Sequence, residues 1–162
     1  MKTLSYLFAA IVAVSMFCSC GQEQEEKIQP SANTIERFVG VAVWADGMCN
    51  PQEEKKVEEF VNKYSIDKVK FIATLQTIRE AMDSLREEQY EAFLSEVDTK
   101  AGENRDELFD NALQVVVCDK EIKLQESARL LNMAKVLGIK PELSTLLIAD
   151  KIKSEKDAKI IY

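Results

Sequence analysis

The chain has 162 residues, 46% apolar and 30% charged, with 5 Gly, 3 Pro and no His. That length suits one domain with a proper core, and so few helix breakers point to helices rather than turn-rich β structure. A net charge of −7 argues against a nucleic-acid partner, which needs a concentrated basic face. The lack of histidine removes Ser-His-Asp and Cys-His catalysis and nearly all ordinary zinc sites.

In chain order, the first segment is a targeting signal. Lys2 is followed by an apolar stretch from Leu4 to Phe17, too short for an ordinary transmembrane helix, and the segment ends Phe17-Cys18-Ser19-Cys20-Gly21. It resembles a bacterial lipoprotein signal, which implies cleavage after residue 19 and lipidation of Cys20; an uncleaved anchor is the alternative. Removing residues 1–19 takes one lysine and no acid, moving the charge from −7 to −8. Residues 20–32, opening Gly21-Gln22-Glu23-Gln24-Glu25-Glu26, read as an acidic flexible tether, and residues 33–162 as the domain. The expected location is the bacterial envelope, lipid-anchored, on the periplasmic side or the cell surface.

Asn33 with Glu36 suggests a capping box opening a first helix, with Ile35, Phe38, Val39, Ala42 and Val43 as its apolar stripe. Gly47 ends it, and Trp44 is either core packing or a partner contact. A second helix opens with Asn50 as cap, Pro51 in first position and Glu53 in third, burying Val57, Phe60, Val61 and Tyr64. A third runs from Ile66 to about Met82, with Phe71, Ile72, Leu75, Ile78 and Met82 inward; it either breaks at Asp83-Ser84, where Ser84 and Glu87 suggest a capping box, or continues. Tyr90, Phe93, Leu94 and Val97 face inward next, before a stop at Lys100-Ala101-Gly102. Asn104 with Glu107 opens the most apolar helix, which ends in Val115-Val116-Val117 and should be the central one. Leu124 to Leu137 follows, stopped by Gly138 and Pro141. The last helix carries Leu143, Leu146, Leu147, Ile148 and Ile152. No segment sustains period-two alternation, so the expected fold is all-α, about seven helices in two pseudo-symmetric halves.

The two halves are visible as a repeat. Ala45-Asp46-Gly47-Met48-Cys49-Asn50-Pro51-Gln52-Glu53 recurs, weakened, as Cys118-Asp119-Lys120-Glu121-Ile122-Lys123-Leu124-Gln125-Glu126, an offset of 73 residues. Both copies keep Asp seven residues before Glu. Asp46, Glu53, Asp119 and Glu126 are thus candidate ligands for a hard divalent cation, Ca²⁺ or Mg²⁺. Local helix physics is the competing account, and it suffices for Glu53 as partner of the Asn50 cap. It is weaker for Glu126, because Lys123 cannot accept a backbone N–H; Glu126 retains only the helix-dipole benefit of roughly 0.3–1 kcal/mol. Cys49 and Cys118, one per copy, are a candidate disulfide in an oxidising envelope; two small buried thiols are the alternative. No glycine-rich phosphate loop is present, and no feature selects a catalytic carboxylate pair.

Ala45-Asp46-Gly47 with Asn50-Pro51-Gln52-Glu53, followed in the second half by Cys118-Asp119, Glu126 and Leu137-Gly138-Ile139, resembles the TerB-like family of tellurite-resistance proteins over about 34–153. The resemblance implies an all-helical, internally symmetric, non-enzymatic module, metal-binding or partner-binding, linked to tellurite resistance and envelope stress. The competing functions are a scaffold with no metal site and, further off, a hydrolase built on carboxylates. Lys120 departs from the pattern by replacing the second Gly, which should change that turn and weaken the second half of any cation site.

Overall fold

The computed structural model describes residues 31–97 and 104–161. The signal segment, Cys20, the tether up to residue 30 and the stop at residues 100–102 lie outside these. The described residues form seven α-helices: α1 (Ala32–Val43), α2 (Pro51–Lys63), α3 (Lys68–Met82), α4 (Tyr90–Ser95), α5 (Arg105–Val117), α6 (Leu124–Val136) and α7 (Pro141–Ser154). Two three-residue strands, β1 (Glu121–Lys123) and β2 (Lys159–Ile161), pair in parallel with Ile122 opposite Ile160. No described helix is long and apolar enough to cross a membrane.

The expected duplication is present almost residue for residue. Shifted by 73, the first residues of α1, α2 and α3 fall on those of α5, α6 and α7. The helices α1 and α5 cross at the centre, and α2 packs on α5 as α6 packs on α1. Both central helices are apolar on most sides: Phe38, Val39, Val41, Ala42 and Val43 are shielded from water, as are Leu108, Phe109, Ala112, Val115 and Val116. Such all-round burial is what an apolar helix inside a bundle requires.

Several boundaries differ from the sequence expectation. The cap of α1 is Ser31, whose Oγ accepts from Thr34 N at 3.2 Å, not Asn33; Glu36 turns inward with Oε1 buried and without a partner. The third helix starts at Lys68 behind an Asp67 cap and ends at Met82, so the break is real. Gln89 caps the next turn by accepting from Arg86 N at 2.9 Å, in place of the expected Ser84–Glu87 box. Asn104 does precede α5, but its side chain makes no cap hydrogen bond. Ile72 is exposed, and so are Leu143, Leu146 and Leu147; of the large apolar residues of α7 only Ile148 and Ile152 pack on the core, while Ser144 is the one fully buried residue of that helix. Periodicity misplaced the three leucines because α7 lies at the edge of the bundle, with little covering its outer side; Ile72, on α3, borders the open groove between α2 and α3.

The short α4 follows α3 and precedes the second half. It is held to α6 by Arg129, which stacks 3.5 Å from the Tyr90 ring centre and binds Glu87 at 2.6 Å, and to α1 by Arg37, which donates to Phe93 O and pairs with Glu96. The inserted chain therefore joins the two halves rather than extending one of them.

Candidate functional site

The four motif carboxylates lie where the two copies meet, at the C-terminal ends of α1 and α5 and the starts of α2 and α6. Each Asp is held the same way. Asp46 Oδ1 accepts from Met48 N at 2.9 Å and Asp119 Oδ1 from Glu121 N at 2.9 Å, two Asx turns that fix the loops. Gly47 sits at φ +85° and Lys120 at φ +67°, so the second loop takes the left-handed turn of the first despite its lysine. The expectation that Lys120 changes the turn is wrong: the Asx turn and the fixed helix ends hold Lys120 in a region that costs a non-glycine residue roughly 1 kcal/mol.

The other carboxylate oxygen of each Asp reaches across to the opposite half. Asp119 Oδ2 accepts from Asn50 Nδ2 at 3.0 Å, and Asp46 Oδ2 accepts from Lys123 Nζ. Asn50 and Lys123 occupy the same place in the repeat, directly before α2 and α6. The contact is therefore reciprocal: the residue before each helix donates to the Asp of the other copy. These two donors were missed from sequence as site residues, although the 73-residue offset superposes them.

Glu53 and Glu126 are both buried. Glu53 Oε2 accepts from Asn50 N at 2.7 Å, within a complete capping box. Glu126 Oε2 accepts from Lys123 N at 2.6 Å. Here too the sequence expectation fails: Lys123 supplies no acceptor, yet its own amide still needs one, and Glu126 provides it. Burial, aided by Asp46 and the other carboxylates, pushes Glu53 up to about 8 and Glu126 up to about 7. Lys123 is stabilised in its charged form, first by its hydrogen bond to Asp46.

The donor set is poorly arranged for a divalent cation. Among the described residues no three His, Cys, Asp or Glu side chains are grouped to hold a metal ion. Asp46 already carries an ammonium, and both glutamates are spent partly on helix ends. As arranged, the quartet does not fit a resident cation unless Lys123 moves.

Cys49 and Cys118 are both free and half-buried, so the candidate disulfide is not formed. The two thiols open onto different grooves, Cys49 between α2 and α3 and Cys118 beside α5 and α7. Burial first, then Glu53, pushes Cys49 up to about 11 and Cys118 up to about 12, which keeps both as thiols. Trp44 packs partly into the core and donates from Nε1 to Leu75 O at 2.9 Å. Arg79 lies 4.9 Å from its ring centre.

A family model described as tellurite resistance protein TerB matches residues 38–147, which takes in both motif copies and all four carboxylates. Comparison with curated proteins and with solved structures gives no match.

Proposed function

The chain belongs to the tellurite resistance protein TerB family, and from that premise we propose that it is a lipid-anchored protein-binding module of the bacterial envelope, with the acidic quartet serving as an internal clasp. The family is generally non-enzymatic. The observation that carries this reading is the reciprocal exchange: each Asp is satisfied by a backbone amide on its own side and a side-chain donor from the opposite half. Carboxylates so engaged hold a scaffold together; the surface of that scaffold is then what acts. Anchoring rests on Ser19-Cys20-Gly21 after the apolar run, and removal of Cys20 by Cys20→Ala should release the protein from membranes. The test of the clasp is thermal melting of wild type and of Asp46→Asn with Asp119→Asn, with and without chelator. Chelator-insensitive melting in both, together with a partner recovered by the wild type in pull-down, is expected.

A second reading, a divalent cation that displaces the Lys123 ammonium, is favoured by one observation. Burial first, with the neighbouring carboxylates adding to it, raises both Glu53 and Glu126, and a cation would offset the loss of hydration and the mutual repulsion alike. Calorimetry with Ca²⁺, Mg²⁺ and Mn²⁺ separates the two: saturable heat lost in the double Asn variant would replace the clasp by a metal site.

A further inference from the structure

The pseudo-symmetry breaks at one place that bears on partners. In the second half, the segment between the Asx turn and α6 is β1, covered by β2, whose first amide, Lys159 N, donates to Lys120 O at 2.8 Å. In the first half the matching segment is Met48–Asn50, and its last residue has the same extended backbone, Asn50 at φ −89°, ψ 165° against Lys123 at φ −85°, ψ 160°. Among the described residues no strand pairs with it. Gly47 O, Cys49 N and Cys49 O have no hydrogen-bond partner among the described residues. The chain that could have returned after α3 instead forms α4 and packs on α6.

Beside this bare edge lies an apolar groove between α2 and α3, about 520 Å³ in volume, walled by Trp44, Val57, Val61, Ile72 and Leu75 and reached by Cys49. The position that Cys49 occupies is Ile122 in the second half, where it is fully buried. A volume in this range suits a few side chains of a ligand. Residues in register on parallel strands turn to the same face, so a residue paired with Cys49 points where Cys49 points, into the groove.

We infer that Met48–Asn50 and the α2–α3 groove together form a docking site for an extended segment of a partner protein, added as a parallel strand with an aliphatic or β-branched residue opposite Cys49. The backbone form of the occupant is given by β2, which lies on the equivalent edge with Ile160 opposite Ile122; Ile160 itself stays exposed there, and the open α2–α3 groove is what distinguishes the first half. Backbone pairing gives the affinity of such strand addition, and the side chain in the groove gives its selectivity. The inference rests on the protein-binding reading above.

The probe is a synthetic peptide of residues 156–162, Lys-Asp-Ala-Lys-Ile-Ile-Tyr, titrated into the ¹⁵N-labelled full chain. Saturable amide shifts at residues 47–50 are expected, with Cys49 amide exchange slowed at least tenfold at saturation. Ile72→Glu, at an exposed position, should weaken binding at least tenfold with the spectrum of the free protein otherwise kept; Cys49→Pro, which deletes the donor, should do the same. Shifts confined to residues 121–123 would mean simple exchange with β2 and would overturn the site, as would undiminished binding by Ile72→Glu or self-association in place of peptide binding. A partner recovered equally by wild type and Ile72→Glu would remove this site while leaving the module reading intact; no partner recovered by either would remove that reading.

Discussion

The two halves share one backbone plan and solve its contacts differently. In the first half, α1 carries Gly40 where α5 carries Leu113, and α1 lies in closer contact with α3 than α5 does with α7. A Cβ on Gly40 would stand 2.5 Å from Ile78 Cδ1 and 3.2 Å from Leu75 Cδ2. The glycine thus permits a tight three-helix wedge, at the expense of helix propensity. The second half keeps its leucine, leaves α7 loosely seated, and gains β2 as a strap over β1. One half closes by helix packing and stays open at its loop; the other covers its loop and stays open along its helix.

Giving the first half the residue of the second should break the comparison most severely. Gly40→Leu is expected to destabilise the domain by roughly 3 kcal/mol, the upper end of overpacking in a filled core. Denaturant unfolding measures it, and a cost near zero would mean that α3 is not wedged against α1. The next effect is at the clasp. Asn50→Ala removes both the cap acceptor of α2 and the donor to Asp119, and should cost about 1–2 kcal/mol. In that background Asp119→Ala should cost less than in the wild type, with a double-mutant coupling of about 0.5–1 kcal/mol; zero coupling would sever the two halves energetically.

The paired glutamates give a pH test of the same symmetry. Glu53 and Glu126 are pushed up from an ordinary value of 4.5 to about 8 and about 7. Between those values the folded protein holds protons that the unfolded chain gives up. Their contribution is therefore complete below pH 4.5 and is lost as pH rises through 7 and then 8. The melting temperature should fall across that window. Glu53→Gln keeps an acceptor for the Asn50 amide and drops the charge, so it should flatten the fall and stabilise at pH 8 by about 1 kcal/mol. Glu126→Gln should do the same with its midpoint lower. A melting curve unchanged between pH 5 and 8 in the wild type would show that both glutamates ionise normally.

The helices and the 73-residue repeat were legible in the sequence because both leave local marks: apolar periodicity, the Asn50-Pro51-Glu53 helix start, and Gly138 at φ +68° closing α6, where Ile139 N reaches Ala134 O at 2.8 Å. The four carboxylates were found for the same reason. What they do was not legible. The exchange between Asn50 and Asp119, and between Lys123 and Asp46, depends on how two halves are docked, which no local pattern encodes. The capping role of Glu126 is hidden because the side chain of Lys123 accepts nothing, while the amide of Lys123 is the group that needs an acceptor. β2 is not legible because three residues, Lys159–Ile161, are too few to show alternation.

The smallest expected effect isolates a single dihedral. Gly47 and Lys120 share the left-handed conformation, at φ +85° and +67°, but only one of them is a residue that adopts it freely. Lys120 is exposed, so its side chain contributes little packing to offset the strain. Lys120→Gly removes the Cβ clash while adding backbone freedom to the unfolded chain, and the difference should leave a gain of about 0.5–1 kcal/mol. Gly47→Ala should lose a similar amount although nothing lies within 4 Å of its added Cβ, because the strain is in the backbone. Opposite signs at these two equivalent positions, read from paired denaturant curves, would establish that both loops require the same turn. A loss at Lys120→Gly would instead give the Lys120 side chain a role that its exposed position does not suggest.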